Sequence, residues 1–124
     1  MKSAAEIQAG LPNFYGTELW HRYSPVLFPN VLLTDGAKYI AEECGAYWLM
    51  DAIASYRGQV TDGFAVVKLV KKGNAAVLTL ANDDPADVLF ARQEISYTDF
   101  PLDEIKLYLV FDGQDWTLML TGEY

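Results

Sequence analysis

Cys44 and His21 are the only thiol and the only imidazole in the chain, so a nucleophile–base pair would have to be made from these two. Such a pair needs hydrogen-bond reach and a third group that orients the base. Cys44 falls on the apolar stripe of a helical segment, close to its C-terminal end, where the helix dipole opposes a thiolate. A buried structural cysteine is the expectation. His21 lies in an aromatic stretch and reads as a packed or surface side chain. One cysteine and one histidine also exclude an internal disulfide and a Cys/His zinc site.

The acids are numerous and carry less pattern. Asp83, Asp84 and Asp87 cluster around Pro85, and Asp99, Asp103 and Glu104 form a second group. A calcium loop needs oxygens converging from a D-x-D-x-D-G run with a trailing glutamate. Neither group has that spacing, so both read as solvated turns. Asp51 stands apart, flanked one turn away on either side by Tyr47 and Ser55 in an otherwise apolar helix. It is either the wet strip of a buried helix or the centre of a small site. A pocket between helix and sheet would draw on Tyr47, Asp51 and Asp99. The chain has no glycine-rich phosphate loop, G-x-S-x-G or nucleotide fingerprint, and no metal or cofactor is implied.

The element that must position these groups is the stretch Thr34 to Arg57, the one long run with helical period. Thr34 and Asp35 are good N-caps. Ala37, Ile40, Ala41 and Cys44 then make one apolar face, while Lys38 and Glu42 face water. After Gly45 the stripe shifts to Ala46, Leu49, Met50 and Ile53, about opposite the first at roughly 100° per residue. Gly45 is therefore expected to end or kink the helix.

Around it the sequence reads mostly as strands. Ser3 and Glu6 form a capping box for a short helix over residues 3–10. Thr17 to Tyr23 reads as an aromatic strand, and Pro25 and Pro29 bracket a loop into the central helix. Strands follow over Phe64–Lys71 and Ala75–Ala81, joined by Lys72-Gly73-Asn74, and then over Val88–Tyr97. Ile105, Leu107, Leu109 and Phe111 alternate with Lys106, Tyr108 and Val110, and Trp116, Leu118 and Leu120 face inward on the last strand. The expected fold is α+β: a two-part central helix packed on a mostly antiparallel sheet of five or six strands, in a single domain over residues 1–124.

Composition bounds the partners. The 124 residues are 52% hydrophobic and 14% aromatic, enough for a core without disulfides or metal. A net charge of −8 argues against nucleic-acid and membrane-surface binding, which depend on clustered Lys and Arg. The N-terminus lacks an apolar targeting segment and no run approaches roughly 18 apolar residues, so a cytoplasmic protein is expected. The whole excess lies beyond residue 82, where ten acids face Arg92 and Lys106.

The blocks T-D-G-A-K-Y-I-A-E-E-C-G-A-Y-W-L-M-D-A-I (34–53), I-S-Y-T-D-F-P-L (95–102) and M-L-T-G-E-Y (119–124) resemble a family of uncharacterised bacterial, plasmid and phage proteins, described only as a domain of unknown function. The resemblance spans nearly the whole chain. It implies a small stand-alone α+β protein and brings no activity, cofactor or catalytic residue. Residues and resemblance together lead to the expectation of a non-enzymatic interaction module of mobile-element origin. It would bind a protein partner, or a second copy as a homodimer, through an acidic strand-rich face bearing Asp83, Asp84 and Asp87. The competing expectation is a small-molecule-binding or hydrolytic protein built around Tyr47 and Asp51.

Overall fold

A computed structural model describes residues 2–14, 20–24 and 26–124. In chain order it has α1 (Ala4–Gly10), β1 (Trp20–Ser24), β2 (Phe28–Thr34), α2 (Asp35–Glu43), α3 (Tyr47–Ser55), β3 (Phe64–Lys72), β4 (Ala75–Ala81), β5 (Leu89–Ile95), β6 (Glu104–Phe111) and β7 (Trp116–Leu120). The strands form one mixed sheet in the order β1-β2-β7-β6-β3-β4-β5. All neighbours are antiparallel except β2 and β7, which run parallel through Val31, Leu32 and Leu33.

The α+β class stands; the strand count does not. Among the described residues seven strands replace the expected five or six, because the segment read as a loop into the central helix is β2. Pro29 concealed it, since proline cannot donate to a ladder. Pro29 sits where it does no harm: the pairing with β7 begins only at Val31, and the β1 register shifts between Arg22 and Ser24. For the expected strand over Thr17–Tyr23, residues 17–19 lie outside the described residues and the remainder is β1, with His21 and Tyr23 on one face.

The central helix is broken rather than kinked. Thr34 caps α2, its hydroxyl accepting the Ala37 amide at 3.2 Å. At the other end Gly45 adopts φ +58°, and the Ala46 amide donates to the Ala41 carbonyl at 2.8 Å while the Gly45 amide reaches Glu42. That pattern is a left-handed glycine cap. It lets both stripes face the core, since Ala37, Ile40, Ala41, Ala46, Leu49, Met50 and Ile53 are all buried. A Cβ at Gly45 would meet no atom within 4 Å, so Gly45→Ala carries only the backbone penalty. A loss of about 1 kcal/mol is expected by urea denaturation. A raised melting temperature would contradict the cap.

The helices cover one face of the sheet. Its inward rows, Ala65–Leu109, Val67–Leu107 and Leu69–Leu78, join Ile40, Leu49 and Ile53 in a single core. The opposite face carries Val66, Lys68, Lys106, Tyr108, Thr117 and Met119 in register across β3, β6 and β7. Among the described residues no helix is long and apolar enough to cross a membrane.

Candidate functional site

Tyr47 and Asp51 do meet a third polar group, from a strand. Tyr23 of β1 donates its phenol hydroxyl to the Asp51 carboxylate and lies 3.1 Å from the Tyr47 carbonyl. Its ring stacks on Tyr47 and Phe28 at centroid distances of 6.2 and 6.1 Å. Burial, then the Asp51 carboxylate, holds the Tyr23 phenol protonated well above the ordinary tyrosine range. Burial and Glu42 push the Tyr47 phenol in the same direction. A phenol kept neutral and already donating is a tether between β1 and α3, not a base. Ser55 turns back on its own helix, donating to the Ala52 carbonyl at 2.6 Å.

His21, on the same face of β1, bonds through Nε2 to Asp35 at 2.7 Å. Asp35 opens α2, so two alternate residues of β1 fasten the edge strand to both helices. Cys44 follows the other end of α2. Nine residues of helix at 1.5 Å rise separate it from Asp35 by about 13 Å, so the thiol and the imidazole do not form a pair. Burial, then Glu43, pushes the Cys44 thiol up to about 11. Ellman's reagent at pH 8 should therefore label the native protein only on unfolding. Rapid native labelling would revive the nucleophile.

The acids from the last third do not gather into one face. Asp83 caps its own loop, accepting the Asp84 amide at 2.7 Å. Asp84 reaches back over the sheet, 2.8 Å from the Lys68 ammonium and 2.5 Å from that of Lys106. These lysines stand directly opposite each other on β3 and β6, an arrangement that repels unless an acid intervenes. The Lys106 and Lys68 hydrogen bonds hold the Asp84 carboxyl below the usual carboxylate range. Asp87 lies in the same connection and Asp99 in the next, at opposite ends of the seven-residue β4, about 20 Å apart. Asp99 borders Trp48, Tyr97 and Thr98, on another flank of α3 from the Tyr23–Asp51 contact. Among the described residues no group of three or more His, Cys, Asp or Glu side chains is placed to hold a metal ion.

The strongest polar cluster is one that sequence reading passed over. Glu123 is buried, and its carboxylate accepts the Thr34 hydroxyl at 2.7 Å, the Leu120 amide at 2.9 Å and the Gly36 amide at 3.0 Å. It therefore neutralises the start of α2, where free amides and the helix dipole favour an anion. Gly36 is the available signal, because glycine in the first turn of a good helix asks what lies against it. Trp48 and Phe100 form a second joint, edge to face at 6.5 Å. The sequence blocks thus meet in pairs: T-D-G with T-G-E-Y, and A-Y-W-L with T-D-F-P-L.

A family described as "Family of unknown function (DUF6876)" matches residues 5–124. The chain belongs to that family. No curated protein and no solved structure matches it. For this member of DUF6876, the blocks named above act as joints between α2, α3, the β5–β6 connection and the final turn.

Proposed function

We propose that this DUF6876 protein is a non-enzymatic interaction module, of a kind carried by bacteria, plasmids and phages, that binds through the helix-free face of its sheet. The observation that carries this reading is a run of large apolar side chains on that face. Phe64, Tyr108 and Tyr124 pack ring to ring at centroid distances of 5.1 to 5.5 Å. Trp20 stands exposed towards one edge. Tyrosine and tryptophan over a half-covered apolar floor are the composition of binding hot spots. The rest of the chemistry is committed elsewhere: Cys44 to the core, His21 and Asp51 to tethering β1, Glu123 to capping α2. Four acids on the strands and turns of this face are each matched by a base beside them, so the reading moves from acidic contact to apolar contact.

The test is capture from native extract by tagged protein carrying Trp20→Ser with Tyr124→Ser, set beside Tyr47→Ser and the Asp83, Asp84 and Asp87→Asn triple. Loss of a partner with the first pair alone supports the sheet face. Loss with Tyr47→Ser alone would favour the ligand-pocket reading. Loss with the triple alone would restore acidic docking.

A further inference from the structure

The helix-free face has a property that selects its occupant. Among the described residues, four acids on this face are paired with a base on the same face: Asp84 with Lys68 and Lys106, Glu104 with Lys68 at 3.8 Å, Glu94 with Arg92 at 3.1 Å, and Asp115 with Arg22 at 3.6 Å. The excess that makes the chain −8 is carried by acids outside these four pairs. Two copies meeting through those acids would repel. At the four pairs they can meet without like charges opposed.

An isologous interface sets a patch against its own copy, so it requires a patch that does not repel itself. A strongly charged partner would find these four acids already paired. Size agrees as well. Seven strands at about 4.8 Å spacing, with strands of five to nine residues at about 3.3 Å each, give a footprint of about 700 Å², part of it overlain by Asp84 at Lys68 and Lys106. A standard interface takes about 800 Å² from each partner. Two such faces packed about 10 Å apart would form a sandwich of two sheets with the helices outside.

We infer that the helix-free sheet face is covered by a second copy of this chain, in a two-fold dimer with Trp20, Tyr108 and Tyr124 in the contact. The inference rests on the sheet-face reading above and names its partner. Sedimentation equilibrium of the full chain up to ~200 µM reaches weak dimers as well as tight ones. Dimerisation is expected, and it should tighten as salt rises from 0.1 M to 1 M, where the Debye length falls from about 10 Å to about 3 Å and repulsion between the two acidic bodies is screened. Trp20→Ser, at a site 53% exposed, should weaken it at least tenfold without altering the circular dichroism of the monomer. Tyr108→Glu should abolish it; if that variant does not fold, Trp20→Ser decides.

A monomer at every concentration and both salts would overturn the second copy. The sheet face would then still stand or fall by capture from extract. A dimer unchanged by Trp20→Ser, or one that weakens with salt, would place the contact elsewhere and overturn the inference equally.

Discussion

Replacing Glu123 with alanine should lower stability by about 3–5 kcal/mol, a large part of the 5–15 kcal/mol typical of a domain. Three donors lose their acceptor at once: the Thr34 hydroxyl and the amides of Gly36 and Leu120. Each buried donor left unpaired costs roughly 1–3 kcal/mol, and relaxation of the final turn returns some of that. The α2 N-terminus also loses a buried anionic partner. Urea denaturation measures the loss. Glu123→Gln keeps shape and one oxygen, and should fall between. A loss under about 1 kcal/mol for the alanine variant would mean that water replaces the carboxylate and that the joint is incidental.

Gly36→Ala should be nearly as harmful, with a sign opposite to the general rule. Within a helix, alanine is ordinarily better than glycine by about 0.5–1 kcal/mol. Here a Cβ would fall 2.6 Å from the Leu120 methyl and 2.7 Å from the Glu123 carboxyl carbon. The Glu123 side chain cannot swing away without releasing all three of its bonds. Overpacking of this kind costs about 1–3 kcal/mol, and the carboxylate's displaced bonds add to it. The double variant isolates the cause: in a Glu123→Ala background most of the Gly36→Ala penalty should disappear, a strongly non-additive pair. Additive losses would show that Gly36 is crowded by something other than Glu123.

These two residues also mark where sequence reading stops. Period-2 alternation and turn chemistry revealed β3, β4, β6 and β7, since both are local properties of strands. The Gly45 break followed from two helical stripes that one straight helix could not bury. Glu123 and Gly36 are 87 residues apart in sequence, and no local pattern announces a contact of that separation. The parallel pairing of β2 with β7 was hidden for the same reason, and Pro29 discouraged reading a strand there at all. For the site, Asp51 and Tyr47 were visible as polar positions on an apolar helix, whereas Tyr23, which determines what they do, lies 28 residues from Asp51. The charge total pointed to an acidic surface. Only the register placing Lys68 opposite Lys106, with Asp84 folded over both, shows that these charges on the sheet face are paired.

Hydroxyl-radical footprinting, compared between dilute buffer and concentrated native extract, tests the working surface most directly, because aromatic and methionine side chains report on every flank at once. If the helix-free face binds, Trp20, Phe64, Tyr108 and Tyr124 should become protected in extract, while Tyr47 by the Tyr23–Asp51 contact and Tyr97 beside Asp99 keep their dilute reactivity. Protection at Tyr47 or Tyr97, with the four sheet-face residues unchanged, would contradict it.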